Sequence, residues 1–294
     1  MATTTVLSAR SRLQRSTSAW RRFLQDRWAL ASLVFLAFVG LIVFVGPSLA
    51  PYDPLQTNLG LRLKPPGTPG HLLGTDELGR DVLSRLLHGA RPSIGVGFAA
   101  VAVAMAIGVP IGLLAGYFGG LSDAVVSRVV DVLLAFPYVL LAIAIVAALG
   151  PGLFNAMLAV GIAGVPYYVR IVRASALSLR DQEFVQASRA LGASHARVLL
   201  RHIFPNALSP LIVAATLDVG WMITAAAGLS FLGLGAQPPQ PEWGVMLSDG
   251  RQYVGVAPHL ALVPGFAIFL VVLALNLVGD GLRDALDPRL RGAL

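Results

Sequence analysis

The sequence predicts an all-α membrane protein of six transmembrane helices with both termini in the cytoplasm. Three observations carry this expectation. Of 294 residues, 56% are hydrophobic and only 13% are charged, with a mean hydropathy of +0.74, whereas a soluble domain carries about 25% charge. Charge-free runs long enough to cross roughly 30 Å of hydrocarbon recur along the chain. The basic residues also gather on alternate connections between those runs.

Residues 1–27 form a polar, basic cytoplasmic tail in which Arg10, Arg12, Arg15, Arg21, Arg22 and Arg27 face Asp26 alone. The charge-free run 28–52 is the first span. Ser48-Leu49-Ala50 resembles a signal-peptide cleavage site. The run is too long for such a peptide and Pro51 follows the cut, so it reads as a retained anchor. Residues 51–92 read as an external loop, rich in proline and glycine at first. Within it, Leu78, Val82, Leu83, Leu86 and Leu87 predict a short amphipathic helix over 76–87, lying on the outer membrane face.

The second span falls in the charge-free run 92–122. The run 132–169 holds two more, one ending near Leu149 and the next beginning after the turn Gly150-Pro151-Gly152. Residues 203–236, interrupted by Asp218 alone, give the fifth span, and 252–279 give the sixth. With the N-terminus in the cytoplasm, segments 1–27, 117–131, 170–202 and 280–294 hold 16 of the 22 Lys and Arg residues. Ala100, Ala104, Gly108, Gly112 and Gly116 recur every fourth residue in the second span, a stripe that allows close helix packing. Pro110 within it predicts a kink.

Chemistry of its own is nearly absent from the chain. It has no phosphate loop of the GxxxxGK[ST] type, no HExxH, no GxSxG and no cysteine. His71, His88, His195, His202 and His259 fall at no spacing that suggests a metal site. The net charge of +7 belongs to cytoplasmic arginines rather than to a nucleic-acid face. Asp218 is the one ionisable residue deep in a predicted span. Two readings stand for it: a functional group, or a side chain hydrated near the cytoplasmic mouth of its helix.

The longest well-patterned polar stretch is 181–206. It reads as two short helices with a hinge. Ser178 or Asp181 caps the first, Gly192 ends it in a left-handed turn, and Ser194 caps a second that runs to Pro205. The spacing also suits a helix-turn-helix DNA reader. Spans flank it closely on both sides, however, so it is pressed to the membrane face and cannot enter a major groove.

In this stretch Gln186-Ala187-Ser188, Gly192 and Ile203-Phe204-Pro205 resemble the EAA loop of permease subunits of binding-protein-dependent ABC importers. Three further blocks resemble one branch, the C-type permease of the dipeptide, oligopeptide and nickel family. They are GTDELGRDVLSRLLHGARPSI (74–94), LSFLGLGAQPPQPEWGVMLSDGRQY (229–253) and GDGLRDALDPRLR (279–291). With an anchor ending in LAPYDP (49–54), the resemblance covers nearly the whole chain. Gln186 replaces the usual glutamate, Ser188 the second alanine, and Phe204 a common leucine. Ala226 stands where many relatives carry glutamate, so cargo is not copied from them.

The resemblance implies a type I importer permease (MetI-like) core over 93–282, after a first helix and external loop over 28–92 and before a cytoplasmic tail over 283–294. Within the core, 173–205 is the coupling loop, seated on a cytoplasmic ATPase. The residues carried over for that contact are Glu183, Phe184, Gln186, Ala187, Ser188, Arg189, Leu191, Gly192, Ile203 and Pro205. Phe184, Ala187, Ser188 and Leu191 fall on one helix face. Arg189, Arg197 and Arg201 suit carboxylates of the ATPase or lipid headgroups. Ala104, Gly108, Gly112 and Gly116 are assigned to helix packing. Glu242 and Trp243, beside the proline-rich run 237–241, are candidates for gating or contact with the binding protein; the plain alternative is a structural re-entry loop.

The implied partners are a second, homologous permease, two ATP-binding subunits, an extracytoplasmic substrate-binding protein and membrane lipid, with no nucleic acid. No cofactor or metal is expected in this chain, since ATP and Mg belong to the partners, and the chain is no enzyme by itself. Its place is the bacterial inner membrane. Peptides are the expected cargo; nickel chelates, glutathione and opines are handled by relatives of this shape. An ion-coupled secondary transporter is the reading from another class, and it predicts several intramembrane carboxylates where this chain shows Asp218. A non-transporting anchor is a third, and it needs no hinged cytoplasmic element.

Overall fold

Seven α-helices of 12 residues or more and three of eight or fewer run between Arg27 and Leu286 in the computed structural model, which describes residues 22–286. Arg10, Arg12, Arg15 and Arg21 of the basic tail, and the tail from residue 287 onward, lie outside the described residues. Helix α1 (Arg27–Leu49) starts at Asp26, whose carboxylate accepts from the Trp28 and Ala29 amides at 2.9 and 3.1 Å. Helix α2 (Val82–Phe118) starts at Asp81, which accepts from the Ser84 amide at 2.8 Å.

The separate amphipathic helix expected over 76–87 does not form. Residues 76–81 are a turn, and 82–87 are the first turns of α2 itself. Leu78, read as part of its apolar side, is exposed. The physical reason is the cap: Asp81 fixes the helix start, and nothing then interrupts the helix until Gly119. Pro92 and Pro110 are carried inside it.

Gly119 and Gly120, at φ +67° and +58°, end α2 and begin α3 (Gly120–Leu134). The third span is not one rod. Helix α3 and α4 (Tyr138–Leu149) meet at 93° across Ala135-Phe136-Pro137. Pro137 lacks an amide proton and biases Phe136 away from the helical region, so the bend is local chemistry. The 12 residues of α4 rise only about 18 Å. Five helices are therefore long and apolar enough to cross a membrane, and the bent pair makes the sixth.

After the turn at 150–152 comes α5 (Leu153–Arg180), then α6 (Glu183–Ala190) and α7 (His195–Val198). Helix α7 does not stop at Pro205, as the sequence suggests. It passes through a π-helical segment, Leu199–Ile203, directly into α8 (Phe204–Phe231). Pro205 sits just after this π-helical segment, in the first turn of α8. Helix α9 (Trp243–Gly250) and α10 (His259–Leu286) complete the described chain.

Helices α2 and α5 make the most extensive contact in the bundle. The small-residue stripe lies at this contact. A Cβ on Gly112 would stand 2.7 Å from the Val169 carbonyl, and one on Gly116 would stand 2.6 Å from that of Arg173. Backbone meets backbone there, which only glycine permits. Tyr168, Val172 and Ala176 of α5, with Met222 and Ile223 of α8, fill the core around it. At one end of the bundle Phe23 and Ala29 pack on Ala285, so the first and last described segments share a face.

Candidate functional site

The hinged element is built on one buried contact that the sequence did not reveal. Val185 of α6 is fully buried and joins the core with Val198, Leu199 and Ile203. The face carrying Phe184, Ala187 and Leu191 stays open; Phe184 is 43% and Leu191 88% exposed. An eight-residue helix shows two apolar faces in sequence, and only tertiary packing decides which one its own body takes.

Its start differs from expectation. Ser178 lies inside α5 and Asp181 is that helix's C-cap, so neither caps α6, whose N-cap is Gln182. Its end is a Schellman turn. Gly192, at φ +82°, donates to the Arg189 carbonyl at 2.9 Å, and Ala193 donates to that of Ser188 at 3.1 Å. Ser194 then accepts from the Arg197 amide at 3.4 Å. Gln186 donates its side-chain amide to the Asp181 carbonyl at 3.1 Å. An ionised glutamate has no proton to give there.

The end of α2 braces the hinge. The Tyr117 hydroxyl and His195 Nδ1 share a hydrogen bond of 2.8 Å, and the Arg189 guanidinium lies 4.8 Å from the centre of the Tyr117 ring. Ser188 Oγ and His202 Nε2 are 3.1 Å apart, which ties α6 to the π-helical segment. Tyr117, His195 and His202 carried no sequence signal for this role, because they meet only through the fold. Arg173 and Asp123 form a forked ion pair between α5 and α3 beneath the same element. Arg189, Arg197 and Arg201 are exposed. No group of three metal-ligating side chains occurs among the described residues.

At the opposite end, Glu242 and Trp243 are turned inward, 3% and 4% exposed. Glu242 caps α9, accepting from the Gly244 and Val245 amides at 2.9 and 3.0 Å and from Ser93 Oγ at 3.1 Å. Trp243 donates its indole N–H to the Leu86 carbonyl at 3.0 Å. Both residues fasten α9 to α2, and the exposed side chains of that loop are those of 237–240. Beside them lies a buried charge cluster in which Arg80 bonds Asp76 at 2.6 Å and Arg85 stands 3.5 Å from the same carboxylate. Burial pushes the carboxyls of Glu77 and Asp249, on its edge, above the usual carboxylate range.

Asp218 is the fifteenth of the 28 residues of α8, about 20 Å of helix from either end. It is half-buried there.

Crossing helices with a bent third span and a hinged helix pair at one end make a multi-pass helical membrane protein. The chain belongs to the family of binding-protein-dependent transport system inner membrane components, whose model matches residues 108–292. Residues 16–66 match the N-terminal transmembrane domain of oligopeptide transport permease C. It is 48% identical over 273 residues to the dipeptide transport system permease protein DppC of Alkalihalophilus pseudofirmus, covering 93% of this chain and 90% of that one. It is 47% identical over 272 residues to the glutathione transport system permease protein GsiD of Pectobacterium atrosepticum, with 92% and 90% covered. The fold is similar to that of the solved methionine ABC transporter MetNI in inward-facing conformations, at a TM-score of 0.56 and 22% identity over 69% of this chain and 96% of that one. The chain is thus a multi-pass permease of the inner membrane.

Proposed function

We propose that this chain forms half of the translocation path of an ATP-driven importer that takes di- or oligopeptides from an extracytoplasmic substrate-binding protein. The second half is a homologous permease, and two ATP-binding subunits supply ATP and Mg chemistry from the cytoplasm. The observation that supports it most is the split character of α6. One side is locked to the membrane body through Val185, while Phe184, Ala187 and Leu191 are left open on a helix too short to be stable alone.

A short helix held this way transmits displacement. Motion of an ATPase against the open face is carried by the Tyr117–His195 and Ser188–His202 contacts into α2 and α8. The π-helical segment Leu199–Ile203 is where that motion meets the fifth span. The path then alternates between outward and inward access without chemistry in this chain. The exposed residues 237–240 face the binding protein. Dipeptide and glutathione permeases among the relatives support a small-peptide cargo.

The absence of cysteine from the sequence makes the test direct. In the assembled importer, a single cysteine at Leu191 is expected to cross-link to an ATP-binding subunit, and one at Val185 to remain unlinked. The reverse pattern, or no cross-link from position 191, overturns the assignment.

A further inference from the structure

The bend of the third span opens a cleft against α5 and α8, and Asp218 stands in it. The cleft encloses about 400 Å³ and is lined by Leu134 and Tyr138 from the two sides of the bend, by Gly164 and Tyr167 from α5, and by Asp218 and Trp221 from α8. No basic side chain lines it among the described residues. Asp218 Oδ2 and the Tyr168 hydroxyl are buried side by side and interact with each other, and neither has a hydrogen-bond partner elsewhere among the described residues. The rings of Tyr138 and Trp221 meet edge to face at 6.0 Å, and the Tyr138 hydroxyl is occupied by the Val160 carbonyl at 2.8 Å. Tyr138 therefore presents its ring, not its hydroxyl, to the space. Tyr167 and Trp221 are each about half exposed, so the cleft opens to the outside of this subunit.

A carboxylate at mid-span costs several kcal/mol unless a counter-charge meets it. None lines the cleft among the described residues, and three aromatic faces around a carboxylate form the cage that recognises organic ammonium ions. We infer that the cleft is a way-station on the translocation path that holds the terminal ammonium group of the passing peptide, with Asp218 as counter-charge and Tyr138, Tyr167 and Trp221 as its wall. An ammonium terminus is common to unmodified peptides of every side-chain composition, so a site reading only that group serves a carrier of many sequences. Leu134 and Tyr138 flank the bend between α3 and α4, so movement at the bend alters the cleft. The inference rests on the peptide-import reading.

The test uses the complete importer in proteoliposomes, with radiolabelled dialanine and a mixed dipeptide pool as cargo and binding-protein-stimulated ATP hydrolysis as the control. Asp218→Asn keeps the size and shape of the side chain, removes the charge and turns one acceptor oxygen into an amide donor. It is expected to lower uptake about tenfold, the effect of losing one charge contact, while stimulated ATP hydrolysis persists. Asp218→Glu is expected to restore at least half of the uptake. Wild-type uptake by Asp218→Asn, or a glutamate variant as inactive as the asparagine one, overturns the inference. If Asp218→Asn also loses ATP hydrolysis, Tyr167→Ala and Trp221→Ala decide. Each is expected to cost roughly threefold in uptake, and wild-type uptake by both overturns the site. A wild-type importer that hydrolyses ATP but imports no dipeptide overturns the peptide reading and this inference with it. Dipeptide import by the wild-type importer that is undiminished in Asp218→Asn overturns the inference alone.

Discussion

Gly192 shows at the residue scale how much one backbone angle decides. Its φ of +82° closes the Schellman turn that ends α6, and a Cβ there would meet nothing within 4 Å. Substitution therefore acts through backbone preference rather than collision. An L-residue in this region costs roughly 1–2 kcal/mol, and a β-branched one is the least tolerant. Gly192→Val is accordingly expected to abolish transport while leaving membrane insertion and the thermal midpoint of the bundle unchanged, as read by size-exclusion chromatography after heating. Wild-type transport by this variant overturns the role given to the turn. Gln186 belongs to the same scale. Its donated hydrogen bond to the Asp181 carbonyl gives the amide a positional task at the start of α6 that a carboxylate does not perform.

Among the elements, the α2–α5 pair is the spine against which the others are set. Its two backbones approach so closely at Gly112 and Gly116 that side chains are excluded. Overpacking a core costs typically about 1–3 kcal/mol; here the obstructing atoms are carbonyl oxygens, which cannot rotate away. Gly112→Val is therefore expected to lower the thermal midpoint and the yield of assembled importer together. An unchanged midpoint contradicts the close approach. The contrast with Gly192→Val separates a packing glycine from a turning one. The buried cluster of Asp76, Arg80 and Arg85 holds the outer loop to the head of α2. A removed partner there leaves a buried charge alone, which is the costly case for such pairs.

Over the whole molecule, no nucleotide-binding or hydrolytic constellation is present in the sequence, and under the proposed coupling role the exposed face of α6 is where energy enters. The purified chain is expected to show no ATP hydrolysis until the ATP-binding subunits are added, measured as phosphate release in detergent or nanodiscs. Turnover by this polypeptide alone removes the permease reading of the chain's energy source. The bent third span and the cleft beside it are properties of the assembled bundle. Pro137 places the break between the halves, and both halves then pack on α5.

The spans, the turn at 150–152 and the hinge glycine were legible in sequence because each rests on local chemistry: hydropathy, φ preference and proline's missing amide. So was the small-residue stripe, since a period of four needs no partner to be seen. The helix expected over 76–87 was misread because amphipathicity marks a surface, not a helix end, and the Asp81 cap sets that end. The inward turn of Glu242 and Trp243 was hidden for a related reason. A charged residue in a loop looks exposed until Ser93, 149 positions away, arrives to satisfy it. The sequence by itself determined that this chain is a helical membrane permease with a hinged cytoplasmic element. Only the tertiary structure decided which face of that element is free, how the two halves of the third span pack on α5, and that Asp218 lines a cleft beside Tyr168. Those three depend on contacts between residues far apart in the chain, and no local pattern encodes them.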